Sequence, residues 1–194
     1  MALTESNMLP LGTVAPDFEL LNVVKGDNES LNQLKGEKGT LIVFMCNHCP
    51  YVVYLLDSII SNSKKWKQQG ITSIGISSNS IHTHPQDGPE NMASLAVEKE
   101  FGFPYLFDAT QAVAKAYDAA CTPDFYLFDA TLELHYRGRY DGSRPGNDTA
   151  IDGTDLQEAI DTMITKKTPL AKQWPSMGCN IKWEPGKAPE SFHS

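Results

Sequence analysis

The sequence predicts an α/β protein: a central mixed β-sheet flanked by helices. Three observations lead there. Residues 41–45 and 71–76 are short apolar runs bounded by turn residues, and they read as buried strands. Between them Val52, Leu55, Leu56, Ile59 and Ile60 recur on one helix face, so the segment is a βαβ unit with a parallel pair. Residues 125–129 and 132–137 flank Ala130-Thr131 as a hairpin, which adds antiparallel strands and makes the sheet mixed.

The elements follow in order. Residues 1–17 read as an irregular lead-in, 18–23 as a strand, and 25–28 as a turn before a short segment at 31–34. The strand at 40–45 runs into a helix over about 47–69, with Gly70 as its C-terminal stop. A long polar loop covers 77–91, and helix signals resume at Pro89 and run to Phe101. A short strand at 105–107, a short helix at 111–117, the hairpin and a last helix at 154–164 complete the core. The tail from Thr168 carries four prolines and two tryptophans and is expected to wrap the surface without forming an element. No repeat or linker is visible, so the 194 residues are expected to form one domain, with its core at about 18–166 and a wrapping tail at 167–194.

Composition narrows the function classes. A formal charge of −8 with no Lys/Arg cluster argues against nucleic acid or an anionic membrane as partner. No apolar stretch approaches membrane-spanning length, and residues 1–7 have neither a basic n-region nor an apolar h-region, so the cytoplasm is the expected location. Four cysteines in such a chain do not make a disulfide scaffold. A Cys-x-x-Cys within a strand–helix pattern points to redox chemistry instead.

That motif is Cys46-Asn47-His48-Cys49, at the strand-to-helix turn. Free backbone N–H groups and the helix dipole favour an anion there, so Cys46 is expected in the first helical turn as an easily ionised thiol. His48, as an imidazolium, is expected to lower that thiol further. A fall from ~8.5 to ~6.5 raises the thiolate fraction at neutral pH from about 3% to about 75%. His82-Thr83-His84 has no third ligand nearby and reads as a polar loop pair, so no metal is expected. Asp108, Asp129 and Asp141 read as caps of turns or helices.

The arrangement resembles the thioredoxin superfamily, whose dithiol follows the first core strand and whose cis-proline precedes the hairpin. Cys121-Thr122-Pro123 stands at that place. The lead-in Gly12-Thr13-Val14-Ala15-Pro16-Asp17-Phe18 and the extra strand and helix at 105–118 are similar to the alkyl hydroperoxide reductase/thiol-specific antioxidant (redoxin) group. Asn47-His48-Cys49-Pro50-Tyr51-Val52 and Met177-Gly178-Cys179-Asn180-Ile181-Lys182-Trp183 are similar to a peroxiredoxin-like bacterial subgroup with a Cys-x-x-Cys.

The resemblance implies a thioredoxin-like fold with an N-terminal extension and a peroxiredoxin-type strand–helix insertion. It implies a thiol–disulfide oxidoreductase in which Cys46 attacks, Cys49 resolves, and the Cys46–Cys49 disulfide replaces any bound cofactor. Thr122 and a cis Pro123 would offer strand-like hydrogen bonds to a substrate peptide. Cys121 and Cys179 are candidate auxiliary thiols, with packing as the plainer role for each. A buried acid behind the dithiol, either Asp17 or Glu19, would move protons. The substrate is expected to be a disulfide-containing protein or a small thiol, with a thioredoxin or glutathione system as reductant; peroxiredoxin-like relatives often pair through sheet edges or loops, which makes a homodimer one possible state, while the sequence itself does not give the oligomeric state. Peroxide reduction is the alternative. Against it, aligning Cys49 with the peroxidatic cysteine puts Cys46 and Ile42 where that pattern has Thr/Ser and Pro, and its arginine falls near Pro123. The alternative of another class is a metal-binding or redox-sensing module.

Overall fold

The computed structural model describes residues 3–190; the first two residues of the expected lead-in and the last four of the expected tail lie outside them. In chain order the elements are β1 (Leu3–Glu5), β2 (Glu19–Asn22), β3 (Asn28–Ser30), α1 (Leu31–Leu34), β4 (Gly39–Phe44), α2 (Pro50–Gln68), β5 (Ile71–Ser77) and α3 (Pro89–Glu98). They continue with β6 (Tyr105–Phe107), α4 (Ala112–Ala116), β7 (Cys121–Thr122), β8 (Asp124–Asp129), β9 (Leu134–Gly138), α5 (Thr154–Ile164) and β10 (Met177–Asn180).

Seven strands make one sheet in the order β3-β2-β6-β5-β4-β8-β9. β4 lies parallel to β5 from Gly39↔Ile71 to Phe44↔Ile76 and antiparallel to β8 from Gly39↔Asp129 to Phe44↔Asp124, so the sheet is mixed as expected. All six β4 residues are buried, because helices cover both faces. Side chains alternate along a strand. Leu41 and Val43 therefore join the core under α2, α3 and α5, with Leu56, Ile59, Met92 and Ile160. Ile42 and Phe44 join the opposite core under α1 and α4, with Leu31, Val113 and Tyr117. α2 buries the stripe read from the sequence and adds Trp66, whose Nε1 donates to Gln157 Oε1 of α5 at 2.7 Å. This is the thioredoxin-like architecture.

Three segments depart from expectation, the first being the lead-in, where Leu3–Glu5 forms β1 by pairing with β10. The α2 helix starts at Pro50, not near 47. A residue before proline is pushed out of the helical region while proline itself suits the first helical position. Cys49 is accordingly extended, at φ −65° and ψ 120°, and caps the helix from outside. The tail, expected to be irregular, contains β10, which lies between β1 and β7 in a second, three-stranded antiparallel sheet. Leu3 pairs with Cys179, Cys179 with Thr122, and Asn180 with Cys121. The four-residue β10 segment has no hydrophobic alternation to announce it; its partner strands define it.

Gly178 is required at this contact. A Cβ there would lie 2.0 Å from the Thr122 carbonyl oxygen, a backbone atom that cannot swing away. Gly178→Ala is expected to lower stability by about 1–3 kcal/mol through overpacking and to loosen β10 from β7. Thermal unfolding with limited proteolysis of the tail checks this; an unchanged midpoint with a protected tail would contradict it.

Candidate active site

β4 delivers the dithiol. Past Phe44, Met45 N still donates to Ile76 O at 2.9 Å, so sheet pairing continues to the residue before Cys46. Cys46 and Cys49 are both buried, and all four cysteines are free thiols. The Thr122–Pro123 peptide is cis, as the sequence led us to expect. Thr122 meets both sulfurs: Cys49 Sγ donates to its carbonyl oxygen at 3.1 Å, and Cys46 Sγ lies 3.6 Å from its Oγ1.

A residue that sequence reasoning missed holds the motif's turn. Asp87, completely buried, accepts Asn47 N at 2.9 Å and His48 N at 3.3 Å on Oδ1. Its Oδ2 meets His48 Nδ1 at 2.6 Å and accepts Asn79 Nδ2 at 2.9 Å. Asn47 is fixed further by Tyr105 Oη, which donates to its Oδ1 at 3.0 Å. The run Gln86-Asp87-Gly88-Pro89 looks like ordinary turn chemistry, and nothing in its spacing marks the carboxylate as a partner of residues 40 positions away.

This geometry corrects the expected role of His48. The same ring nitrogen that faces Cys46 Sγ, at 3.9 Å, is bound to Asp87. Positive charge on His48 is thus opposed by a buried carboxylate that also acts on Cys46. The Cys46 thiol is held well above its ordinary range by its hydrogen bond to Cys49, then by burial and by the Asp87 charge. Cys49 is the sulfur that ionises first, held well below that range by the Cys46 hydrogen bond and, against burial, by those from Cys179 and the Val52 backbone. The expectation of Cys46 as the easily ionised thiol fails because the hydrogen bond between the two sulfurs favours the charge on Cys49, the residue that also stands at the helix cap. The bond from Cys49 to the Thr122 carbonyl belongs to its protonated form, since a thiolate has no proton to donate.

The remaining expectations sort by position. Cys179 lies opposite Thr122 and beside Cys49. Burial and the Asp124 charge push the Cys121 thiol well above its range, and its Sγ lies 3.7 Å from Pro123 O. Thr122 cannot offer a free backbone edge to a peptide, because Cys179 is paired with it. Asp17 and Glu19 are exposed, and β2 is separated from β4 by β6 and β5, so neither stands behind the dithiol. Asp124, next to Pro123, is the buried acid there, and burial raises its carboxyl well above the usual range. Asp108 accepts Ala114 N of α4, and Asp129 and Asp141 accept backbone N–H groups in turns, as expected of caps. His82 meets Glu184 at 3.0 Å while His84 stacks on His48, so the pair does not converge. Among the described residues, Cys46, His48 and Asp87 form a group whose ligand atoms lie within 4.8 Å of one another.

The AhpC/TSA family model matches residues 11–137. The chain belongs to the AhpC/TSA family. Among solved structures, this AhpC/TSA chain is similar to an uncharacterized conserved protein from Geobacillus kaustophilus, with 45% identity over 96% of this chain and 98% of that one and a TM-score of 0.94. A hypothetical protein from Sinorhizobium meliloti 1021 shows 40% identity over 94% and 100%, with a TM-score of 0.91. The thioredoxin domain of a thiol-disulfide oxidoreductase from Bacteroides vulgatus shares the fold at 21% identity over 67% and 89%, with a TM-score of 0.57. No curated protein matches the chain.

The charge assignment is open to test. Asp87→Asn keeps an oxygen for the two backbone N–H groups but removes the negative charge beside Cys46. Losing a like charge at short range should lower the Cys46 pKa by about 1 or more. Ultraviolet thiolate absorbance followed against pH, in wild type and variant, checks it. A Cys46 titration left in place would show that the carboxylate does not act on the thiol.

Proposed function

We propose that this protein is a thiol–disulfide oxidoreductase working through Cys46 and Cys49. The observation that carries the reading is the meeting of two reduced thiols, a helix N-terminus and the Thr122–cis-Pro123 turn at one point. Cys46 lies on the His48 side and attacks a substrate disulfide; one substrate sulfur leaves as a thiolate, which takes its proton from solvent, and a mixed disulfide remains on Cys46. The proton given up by Cys46 passes to its hydrogen-bond partner Cys49, whose protonated form the Thr122 carbonyl accepts. Cys49 then attacks the Cys46 sulfur, the second substrate sulfur leaves protonated, and two electrons have moved from the dithiol to the substrate. Because Cys179 already occupies the Thr122 edge, small disulfides and thiols suit this site better than an extended protein strand. The reductant that returns the disulfide to the dithiol is a thioredoxin or glutathione system, and no bound organic cofactor takes part.

A specific observation also favours a second reading: Cys46, His48 and Asp87 are a thiol–imidazole–carboxylate set that suits zinc. Metal content of the purified reduced chain separates the two, since one zinc per chain that suppresses thiol exchange would favour the binding module. The direct test of the oxidoreductase is equilibration in a glutathione redox buffer with disulfide mapping by mass spectrometry. A reversible Cys46–Cys49 disulfide is expected, with a potential between about −270 and −120 mV, the span of dithiols on related scaffolds. Cys46→Ser and Cys49→Ser should each abolish turnover. Absence of that disulfide at every poise would sink the reading.

A further inference from the structure

The face on which β10 presents its side chains bears directly on the dithiol. In an antiparallel pair, directly opposed residues project to the same face, with Cβ atoms about 4.5–5.5 Å apart. Cys179 is directly opposite Thr122. The Thr122 side chain points at the dithiol, its Oγ1 3.6 Å from Cys46 Sγ. Cys179 therefore projects toward the dithiol as well, while Cys121 and Asn180, one position along, project the other way. Cys46, Cys49 and Cys179 lie in one buried cluster, and Cys49 is hydrogen-bonded to the thiols of both the others. Gly178 permits the close approach that puts the third thiol there.

We propose that Cys179 is a third redox-active thiol that exchanges with the Cys46–Cys49 disulfide at the sulfur of Cys49. The step rests on the dithiol reading above and needs no outside oxidant. The Cys179 sulfur attacks Cys49 Sγ; the Cys46–Cys49 bond breaks as the Cys49–Cys179 bond forms. The electron pair leaves on Cys46, which takes up the proton lost by Cys179. The chain's oxidation level is unchanged, but the attacking thiol is regenerated. Cys46 can then meet a second disulfide, forming a mixed disulfide and releasing one thiol, while the first pair of oxidising equivalents is stored on Cys49–Cys179.

Oxidised glutathione, acid quenching, alkylation and peptide mapping of the full chain test this. Wild type in excess oxidised glutathione should carry one glutathione on Cys46 together with a Cys49–Cys179 bridge. Cys46→Ser, checked for folding by circular dichroism, should form the same bridge, and Cys179→Ser should form Cys46–Cys49 alone. Wild type showing Cys46–Cys49 but no Cys49–Cys179 in any species would overturn the third-thiol proposal and leave the dithiol reading standing. If wild type forms neither bridge, both fall. The wild-type map decides the matter even where Cys46→Ser does not fold.

Discussion

Thr122 is the residue on which the site depends. Its carbonyl oxygen accepts the Cys49 thiol, its Oγ1 faces Cys46, and its backbone pairs with Cys179. One residue thus joins the seven-stranded sheet, through the turn into β8, to the small sheet that holds the tail. A buried carbonyl needs a donor. Supplying donors from a cysteine and a neighbouring strand keeps the redox centre dry and its sulfurs at fixed distances. The missing side chain at Gly178 is the steric counterpart of the same contact.

Charge is organised around a different residue. Asp87 gathers the turn of the motif onto a single buried carboxylate, and its cost of burial is offset by four donors, two of them backbone. Rigidity of the turn and the reluctance of Cys46 to ionise follow from one side chain. The histidine inside the motif is then less an independent cation than half of a pair, and the local field at the sulfurs is the difference between two opposed charges and a helix end.

Much of the fold was legible in the sequence because burial writes periodicity. The stripe Val52–Leu55–Leu56–Ile59–Ile60 and the apolar β4 and β5 runs need no partner to be recognised. The dithiol was legible as spacing, and the cis-proline at Pro123 through the resemblance to the thioredoxin superfamily. The helix start was misplaced because the apolar stripe does not register the backbone restriction that Pro50 imposes on Cys49. Asp87 and β10 were invisible for a common reason: each is defined by a partner far along the chain, 39 positions from His48 for the carboxylate and 57 from Thr122 for Cys179. Long-range pairing leaves no local period, so a polar loop and a Pro-rich tail conceal it.

The small sheet also orders events in time. Synthesis runs from N- to C-terminus, so the dithiol, at 46 and 49, is made more than a hundred residues ahead of β10. Strand β1 waits for a partner on one side, and β7 has an open edge until that segment emerges. During synthesis Cys49 therefore lacks its Cys179 neighbour, and the dithiol is enclosed on that side only when β10 pairs with β7 and β1.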